Sequence, residues 1–75
     1  MIDQEVESLA GQIDNEGDLN YAIFKLLLSM TEEWGKNYAT LNRIKGVMSC
    51  CSDEFTRRVI NPYEDEKIEE NGDII

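Results

Sequence analysis

Histidine is absent from this chain of 75 residues, which removes the commonest general base, the commonest metal ligand and the Glu-x-x-His pattern of di-metal helical bundles. There is no Gly-rich phosphate loop and no Cys-x-x-Cys pair. The only cysteines, Cys50 and Cys51, are neighbours, so a disulfide between them would close a strained ring inside a helical pattern. No run approaches the ~20 apolar residues of a membrane span, and residues 1–13 lack a positive n-region. These absences predict a protein that is not an enzyme, holds no cofactor or metal, has no membrane partner and resides in a reducing cytoplasm. Proline occurs once, as Pro62, and leaves the first sixty residues uninterrupted.

What is present is charge, unevenly placed. Residues 1–18 carry six acids and no base, and residues 62–75 carry six acids against Lys67. Between them, residues 19–61 carry six bases against four acids, so a mildly basic middle lies within a chain of net charge −9. A long nucleic acid is repelled by such a chain, whereas a small anion is still acceptable locally.

The apolar spacing is helical throughout and predicts an all-α fold. Ile2, Val6, Leu9 and Ile13 form one stripe that Asp3 can cap, and "DNEGD" ends it. Asp18 is placed to cap a second helix over residues 19–34, about 24 Å long, with Gly35 as its stop. The short "GKN" link predicts an antiparallel hairpin with a third helix from Tyr38 to Ile60, carrying Tyr38, Leu41, Ile44, Met48, Cys51, Phe55 and Val59 on one face. Asn61 at the N-cap, Pro62 at N1 and Glu64 at N3 predict a separately capped helix over about residues 62–70, ended by Gly72. The chain is thus expected to be a single domain over 1–75, with an N-terminal helix and loop (1–17), a helical hairpin (18–60) and a capped C-terminal helix and end (61–75).

The second helix is apolar nearly all round. Leu19, Ile23, Leu26, Leu27, Met30 and Trp34 share one side, while Tyr21, Phe24 and Leu28 lie opposite. A chain this short draws only a few kcal/mol, about 3–5, from one core, so further copies are expected to cover the second face as a homo-oligomeric helical bundle, a dimer or tetramer. The alternative is a monomer in which the N-terminal helix covers Phe24 and Leu28.

On the third helix Arg43, Cys50 and Arg57 fall in line at i, i+7 and i+14, with Gly46 and Asp53 beside them. Gly46 and Cys50 are a small pair that admits a close helix. If this face meets its own copy antiparallel about Cys50, Arg43 of one chain meets Arg57 of the other and an anion is needed between them. The expected interface residues are therefore Phe24, Leu28, Gly46 and Cys50, and the expected ligand contacts are Tyr21, Lys25, Tyr38, Arg43, Arg57 and Arg58. The alternative is that the arginines pair with Glu54, Asp53 or the acidic C-terminal helix. Glu32/Glu33 and Asp53/Glu54 read as solvated faces, and Cys50 as a buried small residue instead of a reactive thiol.

The stretches "LNYAIFKLL" (19–27), "YATLNRIKGVM" (38–48) and above all "EFTRRVINPYEDEKIEENGD" (54–73) resemble a family of small proteins encoded mainly by phages and prophages, in which the position of Thr56 is a tyrosine. The resemblance implies that the C-terminal helix belongs to the fold. That family's function is uncharacterised; phage proteins of this size are often accessory factors against host defence, and by analogy of gene context and size the expectation is a sponge that sequesters an anionic nucleotide signal, such as a cyclic nucleotide, between subunits in the host cytoplasm. Two alternatives stand beside it: an acidic protein that inhibits a host protein, and a structural module with no ligand.

Overall fold

The computed structural model describes residues 2–72, and every regular element among them is helical. Helix α1 spans Ile2–Ala10, α2 Glu16–Trp34 and α3 Tyr38–Phe55; a π-helical turn, Thr56–Ile60, leads from α3 into α4, Asn61–Asn71. By its internal contacts the chain divides into two units, Met1–Lys36 and Asn37–Ile75.

In the first unit, Ile2 is already helical, so Asp3 sits in the first turn of α1 instead of capping it. Ile13 lies beyond α1, where the N–H groups of Gln12 and Ile13 donate to Leu9 O and Ala10 O at 2.9 and 3.2 Å and close the end of the helix tightly. Helix α2 starts three residues before the expected Leu19, because the cap is Asn15 and not Asp18. Asn15 is extended (φ −154°, ψ 176°) and its Oδ1 accepts the Asp18 N–H at 2.8 Å. The Asp18 carboxylate in turn accepts the Asp14 N–H at 3.1 Å, a reciprocal pair that satisfies two backbone donors. At the other end Gly35 takes φ 95° and its N–H donates to Thr31 O at 3.0 Å. That positive φ favours glycine, which fixes the stop of α2.

In the second unit, Asn37 caps α3 by accepting the Thr40 N–H at 2.9 Å. The expectation of a separately capped C-terminal helix is corrected. Asn61 has helical backbone (φ −62°, ψ −47°) and its N–H donates to Thr56 O, five residues back, while no side chain caps α4. The reason lies in Pro62. It has no N–H to return to the preceding turn, and its ring crowds the carbonyl four residues earlier. Widening one turn to the i→i+5 pattern accommodates the ring without breaking the helix. Thr56 supports the wide turn from within, its Oγ1 donating to Ser52 O at 3.1 Å. The chain therefore runs helically from Tyr38 to Asn71 and stops at Gly72, φ 75°.

Little of the apolar surface is covered. Among the described residues only Thr40 and Ile44, one turn apart on α3, are buried, at 4% and 8% exposure. Phe24 stays 56% exposed and Leu26 59%, and they lie on different sides of α2. On α4, Tyr63 and Ile68 are also half-exposed.

Candidate functional site

The side chains with chemical potential form two groups, one in each unit. In the first, α1, the link and α2 enclose a groove of about 520 Å³. Leu9 and Ile13 contribute from α1 and the link, Ala22 and Leu26 from α2, and Asp18, Tyr21, Lys25 and Ser29 add polar atoms along α2. Tyr21 and Lys25 are thereby brought together, one turn apart on the same groove. Phe24 and Leu28 are not among its lining residues and face elsewhere, both exposed.

In the second unit the central feature is a fork on one carboxylate. Glu54 Oε1 pairs with Arg57 Nη2, and Glu54 Oε2 pairs with Arg58 Nε at 2.8 Å. The helical offsets of three and four residues place both guanidiniums over the same acid. Arg57 and Arg58 therefore come together, in the internally paired state weighed above as the alternative to an anion site. The arginine side chains are 65% and 77% exposed, however, and pairs of such exposure contribute little, about 0–1 kcal/mol each. A phosphate with better geometry can displace Glu54.

Tyr38 opens α3 and is exposed, Arg43 follows one turn later, and Gly46 has open space around it: a Cβ there meets nothing within 4 Å. Among the described residues no packing requires a glycine at this position. Cys50 and Cys51 are exposed free thiols on the single chain. On α4 the Lys67 ammonium lies 5.6 Å from the Tyr63 ring centroid and 3.7 Å from Glu70, so the one base of the acidic segment is held locally. Among the described residues no three potential metal ligands converge, and no helix is long and apolar enough to cross a membrane.

Two features escaped sequence reasoning. One is the groove, whose walls come from residues read as separate stripes. The other is the wide turn, whose signal was Pro62 inside an otherwise unbroken helical pattern.

The elements and side chains together define a small all-helical protein with exposed apolar faces and paired surface arginines. The chain belongs to the family described as Domain of unknown function (DUF6899), whose model matches residues 1–74. No curated protein and no solved structure matches the chain.

Proposed function

We propose that the protein is a self-assembling helical binding module, without catalytic activity, whose α2 is covered by further copies of the chain as a dimer or tetramer. The observation that carries this reading is the exposure of large apolar side chains on different sides of one helix, Phe24 and Leu28 on one and Leu26 on another. One partner helix covers one side only, so the opposite face, with Phe24, is left to another copy. Gly46 supports the same reading, since mid-helix glycine costs roughly 0.5–1 kcal/mol relative to alanine and, among the described residues, a Cβ there meets nothing. Sedimentation at micromolar concentration tests the proposal. A species of 8.6 kDa at every concentration overturns it.

A second reading is kept for one reason: Arg57 and Arg58 are exposed and held by a bridge weak enough to exchange. In this reading the assembled protein is a phage accessory factor that sequesters an anionic nucleotide in the host cytoplasm, with Arg43 of one copy and Arg57 of another on the same ligand about a two-fold axis near Cys50. Arg43→Ala and Arg57→Ala then each abolish one half of the site, and mixing the two variants restores part of the binding in mixed dimers. The measurement is the free concentration of cyclic dinucleotides, cyclic trinucleotides and ADP-ribose products after incubation with the protein. An unchanged panel leaves the assembly module, or an inhibitor of a host protein, in its place.

A further inference from the structure

We infer that the groove between α1 and α2 is the seat of a second copy's α3, entered by the stripe Val47, Cys51, Phe55 and Val59. This inference rests on the self-assembly reading and adds to it the two surfaces that meet. The stripe recurs at every fourth residue from α3 into the π-turn, and all four of its side chains are exposed. It lies a step round the helix from the Gly46/Cys50 pair, so it is a different face from the one proposed for the two-fold axis.

Three observations select this occupant. The first is charge. The groove's own lining is balanced, Asp18 against Lys25, but Asp14, Glu16 and Asp18 gather at the start of α2; α4 carries −4 and α3 is neutral, while the turn Thr56–Ile60, with Arg57 and Arg58, carries +2. The acidic start of α2 repels α4 and attracts the Arg57/Arg58 end of the stripe. In the orientation that sets the Arg57/Arg58 end beside the start of α2, those guanidiniums meet Asp14, Glu16 and Asp18, and their weak hold on Glu54 exchanges for a denser acidic group.

The second is length. From Asp18 to Ser29 the α2 side of the groove extends about 16 Å, and from Val47 to Val59 the stripe extends about 18 Å at 1.5 Å per residue. The third is area. Tyr21, Phe55, Leu26, Leu9, Val47 and Val59 are between 43% and 64% exposed. With about 200 Å² for an aromatic and roughly 100 Å² for an aliphatic side chain, one seat covers about 450 Å² of apolar surface. A two-fold dimer in which each copy gives its α3 and receives the other's has two seats and about 900 Å², near the ~1,000 Å² of a stable interface before backbone and polar rim are added.

Disulfide trapping tests the pairing in the full-length protein. Chains carrying Cys50→Ser, with native Cys51, are mixed with chains carrying Leu26→Cys, Cys50→Ser and Cys51→Ser, and mildly oxidised. The expected product is the mixed Leu26→Cys–Cys51 dimer, at several times the yield of either homodimer and reduced at least threefold at 0.5 M salt. A mixture of homodimers alone, in a preparation that sediments as an oligomer, overturns the seat and leaves self-assembly standing. A monomer by sedimentation removes both. In a single chain bearing Leu26→Cys with Cys50→Ser, a bond formed only within monomers shows that the stripe occupies its own chain's groove and refutes the exchange. Should Leu26→Cys lower helicity by circular dichroism, Leu9→Cys against Cys51 carries the same decision from the other side of the groove.

Discussion

Replacing Phe24 by aspartate separates assembly from folding. At 56% exposure, and with about 200 Å² to bury for a phenylalanine, the ring has about 110 Å² still open to water. At ~25 cal/mol per Å² this is about 2.8 kcal/mol for each copy that covers it. In a two-fold dimer that buries both rings the contribution doubles to roughly 5–6 kcal/mol, about four orders of magnitude in the association constant. The aspartate also leaves a charge facing apolar surface, which adds to the loss. Within the free chain the same change removes little, because the ring already faces water, and the helix-propensity difference between the two residues is only a few tenths of a kcal/mol. Phe24→Asp is therefore expected to lose the contacts of the Phe24 face and to sediment below the native mass at concentrations where the native protein assembles, while a pair held through the α1–α2 groove, which Phe24 does not line, survives; far-UV circular dichroism falls by no more than the loss of inter-chain support. If Phe24→Asp sediments with the native mass, the Phe24 side of α2 faces solvent in the assembly and the covering argument fails.

Gly46→Ala is expected to raise helicity and stability of the free chain by roughly 0.5–1 kcal/mol, since a Cβ there meets nothing, and to weaken assembly if a helix docks on this position; a gain in both, by thermal melts at low and high concentration, refutes docking there. Glu54→Gln leaves stability within about 1 kcal/mol because both bridges are exposed, and on the nucleotide reading it tightens ligand binding by releasing Arg57 and Arg58; weaker binding by equilibrium dialysis shows that Glu54 organises the arginines. Asn15→Ala is expected to cost about 1 kcal/mol through loss of the α2 cap, read by chemical denaturation, whereas Asp18→Ala leaves that cap in place. Pro62→Ala is expected to return the turn after α3 to the α pattern, with the added backbone bond raising the helical signal; an unchanged amide hydrogen-exchange pattern over residues 56–62 shows that something other than the proline holds the wide turn.

The sequence made the helices legible and their ends less so, for reasons visible at single residues. Tyr38 as the first residue of α3, Gly35 and Gly72 as stops, and the all-helical class follow from spacing and from the ease with which glycine takes positive φ. The start of α2 was misplaced because Asp18 reads as a good cap and Asn15, three residues earlier, is another. The geometry resolves this by using both, one for the cap and one for the return bond. The expected break at Asn61 failed differently. An Asn-Pro step reads as the end of one helix and the start of another when only two states are considered, yet a third state, one widened turn, absorbs the proline at the loss of very little hydrogen bonding. Cap propensities carry no information about that option, since they compare helix with loop and not α with π.

The arginines show why a candidate site was harder to read than the fold. Positions 43, 57 and 58 and the offset of Glu54 are fixed by the helix, so their placement was available from the sequence, and a pairing of Arg57 with Glu54 was among the alternatives there, though the shared hold of Arg58 on the same acid was not. Choosing between the pairings is a comparison of energies near 1 kcal/mol: an exposed intrahelical bridge against a contact with an anion or with the acidic start of another copy's α2. Helical periodicity reports which residues share a face and is silent on competing partners of equal chemistry. The difference becomes large only where water is excluded, because a guanidinium and its counter-ion interact several times more strongly once an interface closes over them. Arg57 and Arg58, open to solvent on a single chain, therefore acquire a decisive partner only through the step that buries their surroundings. On the proposed self-assembly, the interface forms before these arginines gain a partner in the energetic sense, and any ligand they bind is expected to be released by Arg57→Ala and weakened by Phe24→Asp, although Phe24 makes no contact with it.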